Sequence, residues 1–171
     1  MGFTTSRLIS RKSPMKGVRS ISFAPFLAST PVVNTVAGVI ALPAIMTTPP
    51  AIARIEVKAT GNNVADVGTM DENTRTNEYV ATNTFFVPGN DIGLLNQVQG
   101  MAGTLQTIFI EDYNGVIKVQ GSQNGCDVMT VSGGSDMQGF SFTVASKEVD
   151  MMYILAPAGI TAYKAALLAN G

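Results

Sequence analysis

Hydrophobic and polar positions alternate most cleanly between Ala51 and Lys58. There Ala53, Ile55 and Val57 fall on one side and Arg54, Glu56 and Lys58 on the other. Successive side chains of a strand point to opposite faces, so this pattern predicts a half-buried strand. Glu78 to Val87 predicts a second strand, stopped by Pro88-Gly89. Leu105 to Tyr113 and Val116 to Gln120 flank Asn114-Gly115, a pair that accepts positive φ in a tight turn, and so predict an antiparallel hairpin. Apolar runs at Cys126–Val131, Gly139–Ala145 and Met151–Leu155 predict three more strands, joined through Asn124-Gly125 and Gly133-Gly134. Two stretches carry helical spacing instead. Ile92, Leu95 and Val98 share a face behind Asn90 or Asp91, either of which can cap a short helix near 91–99, and Ile160 to Ala169 predicts a closing helix near 160–169.

Residues 60–77 follow neither period and predict a long exposed loop, a kind of segment that partners often order. On that loop Asp66, Asp71, Glu72 and Arg75 are candidates for contacts between subunits or for the lining of a lumen. Residues 51–171 are therefore expected to form a mainly β body, a β-sandwich or squashed barrel with one or two short helices.

The first 50 residues read differently. Pro14, Pro25, Pro31, Pro43, Pro49 and Pro50 oppose a long helix and favour extended chain. The apolar run Val36–Met46 is broken by Gly38 and Pro43 and falls short of the roughly 18 residues a spanning helix needs. The same stretch imitates a secretory signal or a transit peptide, and Gly2 with Ser6 fits a myristoylation pattern. The reading adopted is an extended arm over 1–50 that lies across neighbouring subunits. On this reading removal of 1–24 would leave the body folded and abolish assembly.

Charge sharpens the division. Residues 1–55 carry Arg7, Arg11, Lys12, Lys16, Arg19 and Arg54 with no acid, a charge of +6, whereas residues 56–171 carry −7. Opposite signs favour docking of one copy's arm on another copy's body, with Arg7, Arg11, Lys12, Lys16 and Arg19 as the candidate contacts. Nucleic acid or an anionic lipid surface would attract the same arm. Only 13% of the residues are charged, too few to dress a free surface in the usual way, so much of it is expected to meet other protein.

Candidate chemistry is sparse. The chain has no histidine, which removes Ser-His-Asp and Cys-His catalysis. Cys126, the single cysteine, excludes an internal disulfide and reads as a buried structural thiol. Glu111 and Asp112 are adjacent on a strand and point to opposite faces, so they are poorly placed to share a substrate. Asp112, Asn114 and Gly115 lack the remaining spacing of a calcium loop, and no phosphate-binding glycine motif is present. No enzyme activity, cofactor or metal is expected.

The layout of strands from Ala51 to Leu155, a helix after Asp91, a loop from Thr60 to Asn77 and an arm from Met1 to Pro50 resembles the small β-rich structural proteins of tailed bacteriophages. Tail-tube and neck-ring subunits are the nearest in layout. The stretch IFIEDYNGVIKVQGSQNGCDVMTV is similar in texture to structural proteins from phages of Bacteroidetes-type hosts, the crAss-like ones among them. The resemblance implies a virion location and a homo-oligomeric ring or tube in the tail or head-tail connector. It also implies copies of itself and other virion proteins as partners, with DNA passing through a lumen without sequence recognition. Assembly would proceed through sheet edges and the arm. The basic, proline-rich arm is longer than a tube subunit needs, which leaves a capsid auxiliary or decoration protein open. An envelope-associated protein without a membrane span is a further alternative.

Overall fold

A computed structural model of the chain describes residues 17–26, 39–40, 53–57, 62–71, 76–89, 92–133, 139–149 and 151–170. Among the described residues ten strands occur in chain order: β1 (Val18–Pro25), β2 (Val39–Ile40), β3 (Ala53–Glu56), β4 (Asn63–Asp71), β5 (Thr76–Pro88), β6 (Gln106–Asp112), β7 (Ile117–Gln120), β8 (Asp127–Gly133), β9 (Gly139–Glu148) and β10 (Tyr153–Leu155). Helix α1 (Ile92–Gly100) follows β5, and helix α2 (Pro157–Asn170) follows β10.

The strands form two sheets, one ordered β2-β10-β7-β6-β1-β3 and the other β4-β5-β9-β8. All pairs are antiparallel except β10 with β2. Ile21, Phe23, Ile55, Ile108 and Ile110 of the larger sheet meet Phe85, Val87, Val128, Phe140, Phe142 and Val144 of the smaller, which makes the protein a mainly β sandwich. Phe142 sits at the centre of this layer, with ring centroids 5.8 Å from Phe23 and 5.6 Å from Phe85. Full burial of each such side chain contributes about 1.5–3 kcal/mol. The opposite face of the larger sheet is covered by α2, where Tyr163 packs on Phe109, Ile117, Val119 and Leu155. Val98, Leu94 and Leu95 of α1 join the inter-sheet core.

The expected strands Ala51–Lys58, Glu78–Val87, Leu105–Tyr113 and Val116–Gln120 correspond to β3, β5, β6 and β7, and both helices form. Pro157 opens α2 three residues ahead of the expected start, because a proline at the first helical position loses no hydrogen bond. The β6–β7 hairpin differs in one detail. Its loop holds Tyr113, Asn114 and Gly115, with Gly115 N–H reaching Asp112 O at 3.1 Å and Asp112 N–H reaching Val116 O at 3.0 Å. The Asp112 carboxylate accepts the N–H groups of Asn114 and Val116, each at 2.8 Å, and so holds the longer loop in place of a two-residue turn. Gly115, at φ +79, supplies the left-handed residue that such a loop requires.

Two expectations are corrected. Residues 18–25, assigned to the arm, form β1 in the interior of the larger sheet, hydrogen-bonded between β6 and β3. Their burial runs unbroken from Ser20 to Ala24 because one face meets the other sheet and the other face meets α2. The body is therefore not confined to 51–171. Residues 63–71, expected in a loop, form β4 in continuous register with β5 from Asn63↔Thr84 to Asp71↔Thr76. The remainder of the expected arm lies outside the described residues, apart from Gly17, Phe26 and β2.

Candidate interaction surface

The smaller sheet turns one face to the core, and its other face is left open among the described residues. Cross-strand register sets that outer face in rows: Phe86, Ser141 and Ser132; then Asn63, Thr84, Thr143 and Thr130; then Ala65, Thr82, Ala145 and Asp127. Asp127 is the one charged side chain in these three rows. Hydroxyls partner each other across strands, Thr84 with Thr143 at 3.0 Å and Ser132 with Ser141 at 2.8 Å. Toward the β4–β5 turn the exposed pair Lys147–Glu78, at 3.0 Å, ends this sparsely charged zone. A groove of about 510 Å³ crosses this face, lined by Val80, Thr82, Leu105, Met129, Ala145 and Lys147 among others. Leu105 is 46% and Met129 64% exposed, so the groove offers apolar contact to a partner.

The sheet edges are unequal. β8 is interrupted by a bulge between Val128 and Thr130, which twists an edge away from further pairing. β3 and β2, at the ends of the larger sheet, have four and two residues. β4 has nine residues and no lysine, proline or bulge, and no described strand pairs with its outer edge. Val67 and Met70 on it are 56% and 64% exposed. Gly68 pairs with Tyr79, whose ring lies so close that a Cβ at 68 would stand 2.6 Å from Cε1.

The candidate site residues separate under the structure. Arg7, Arg11, Lys12, Lys16, Glu72 and Arg75 lie outside the described residues. Arg19 belongs to β1 and reaches Glu111 within its own chain, at 3.9 Å. Arg54 also meets Glu111, at 3.3 Å, and the Ser20 hydroxyl donates to the same carboxylate at 3.0 Å. A buried carboxylate needs such partners, and Arg19 is accordingly a member of the sheet rather than of an arm. Asp66 is on β4, where its Oδ2 accepts the Met152 N–H at 2.7 Å and fastens the β9–β10 connection. It is part of a strand, not of a lumen loop. Asp71 ends the same strand.

Sequence reasoning missed a polar cluster between the sheets. The Asn83 side-chain amide donates to Gln120 Oε1 at 2.6 Å, and the Gln120 amide donates to Ala81 O at 3.0 Å and to Ser146 Oγ at 3.2 Å. Nearby, Glu148 accepts the Gln123 N–H at 3.0 Å. Burial pushes the Glu148 carboxyl above the ordinary range, and the Asp66 charge acts the same way, against the backbone N–H groups of Gln123, Asn124 and Ser122. Asp66 Oδ1 and Ser122 Oγ are buried with no hydrogen-bond partner among the described residues. The expected strand Glu78–Val87 includes Asn83, but the expected strand Gly139–Ala145 stops short of Ser146 and Glu148, which β9 carries, and the Asn83–Gln120 and Gln120–Ser146 contacts cross from one sheet to the other. Cys126 is buried as expected, and its thiol donates to Gln106 O at 2.9 Å. Burial raises its pKa first, with Glu148 and Asp127 adding to the effect, so it stays a thiol.

No family model matches the chain, and no curated protein or solved structure matches it. Among the described residues no helix is long and apolar enough to cross a membrane.

Proposed function

We propose that the chain is a structural subunit that assembles with copies of itself and, on the resemblance of its layout, builds a ring or tube in a virion. The observation that carries this reading is β4. A nine-residue strand with exposed Val67 and Met70, unblunted by lysine, proline or bulge, is a template for another strand. A chain that functions as a monomer meets selection against such an edge, whereas a subunit uses it. The sparsely charged outer face beside β4, where Asp127 is the one charged side chain in three cross-strand rows, supports the same reading, because surfaces that meet protein are depleted in charge at their centre.

Electron microscopy of the purified chain at rising concentration tests the proposal. Closed rings or tubes of uniform diameter are the expected result. Fields of single small particles at near-millimolar protein would overturn it.

A further inference from the structure

We infer that β4 adds to β4 of a second copy, antiparallel, about a twofold axis at Val67, so that the smaller sheet runs on as eight strands across a dimer. This inference rests on the assembly reading and names its partner and register. Val67 is the midpoint of Asn63–Asp71, so an axis there gives every residue of the strand a partner.

The pairs are mutually compatible. Val67 meets Val67, and Ala65 meets Thr69, on the outer face. On the other face Met70, 64% exposed in the single chain, falls opposite Val64, which already borders the core. Asp66 falls opposite Gly68, which has no side chain to desolvate it, and Asn63 falls opposite Asp71. No acid faces an acid.

Neighbouring registers fail this test. An axis perpendicular to the sheet keeps inward faces inward only if it passes through a residue, which restricts it to whole-residue steps. Moving it to Asp66 sets that carboxylate against its own copy, a destabilising like-charge pair. Moving it to Gly68 sets Met70 against Asp66. Among the described strands the remaining edges are the bulged β8, the four-residue β3 and the two-residue β2, none of which offers nine residues. An isologous contact of this kind closes on itself, so it yields dimers, and a ring requires a second contact elsewhere in the chain.

A short bis-maleimide linker tests the register. The buried Cys126 thiol is inert to it, and Val67 is exposed enough that Val67→Cys keeps the fold, checked by circular dichroism. The expected result is a covalent dimer from Val67→Cys and none from Ser132→Cys on β8. Val67→Lys, which sets two ammonium groups on the axis, should weaken the dimer about tenfold or more. Equal linkage from both cysteine positions would overturn the inference. So would an oligomer that forms in the wild type and is unchanged in Val67→Lys, and that outcome leaves the assembly reading standing. A wild type that stays monomeric overturns both.

Discussion

Removing residues 1–16 and removing residues 1–25 should have opposite consequences. The first truncation leaves every described contact in place. The second deletes β1, an interior strand, and with it Val18, Ile21 and Phe23, whose exposures are 7%, 0% and 2%. At about 1.5–3 kcal/mol for each buried apolar side chain, the loss is about 5–9 kcal/mol. It also strips the hydrogen bonds that β6 and β3 make to β1 and breaks the Ser22–Tyr163 contact of 2.6 Å that ties the sheet to α2. A domain of this size has a net stability of about 5–15 kcal/mol, so the longer truncation should not fold. Urea unfolding followed by circular dichroism reads both variants. The 1–16 truncation, which keeps β1, should retain a cooperative transition, and the 1–25 truncation should show none. A 1–25 truncation that unfolds cooperatively at the full-length midpoint would refute the placement of β1 in the core.

Three further outcomes follow from the interior. Glu111→Ala should cost about 2–3 kcal/mol in urea unfolding, because it strands the buried Ser20 hydroxyl, while Arg54 and Arg19 at 33% and 53% side-chain exposure can turn to water. Glu111→Gln, which keeps an acceptor for Ser20, should cost less. Glu148 has a raised pKa in the fold, so the folded state holds its proton more tightly and this contribution to stability is lost as pH rises above the ordinary value of 4.5. Glu148→Gln lacks that loss, and its stability relative to the wild type should therefore increase from acidic to neutral pH in parallel urea titrations. Gly121→Ala should cost about 2–4 kcal/mol, since φ is +74 and the new Cβ would stand 2.7 Å from Gln106 O.

Sequence legibility followed the physics of each element. Strands with one wet face, such as β3, announced themselves through alternation, and the β6–β7 hairpin through its turn residues. β1 did not, because both its faces are covered and the face turned from the inter-sheet core carries Ser20 and Ser22 beside Ala24, serines that pay for burial through Glu111 and Tyr163. The register irregularity between Val18 and Ser20 further breaks its period. β4 was hidden for the opposite reason. An edge strand with little buried area tolerates Asn63, Asp66 and Gly68, residues of low strand propensity that read as loop. Arg19 was expected on an arm that contacts other subunits and Asp66 on an inter-subunit or lumen loop, but both sit on strands and make their described contacts within the chain. The sparse charge on the outer face of the smaller sheet was foreshadowed by the low charge content, although only register shows that Thr82, Thr84, Thr143 and Ala145 share it.

The most direct test of the central claim is the mass of the intact chain in solution, measured by sedimentation equilibrium from low micromolar to near-millimolar concentration. Self-association through an open sheet edge predicts a weight-average mass that climbs from 17.9 kDa to twice that value or beyond. A mass fixed at 17.9 kDa over the whole range would contradict the account.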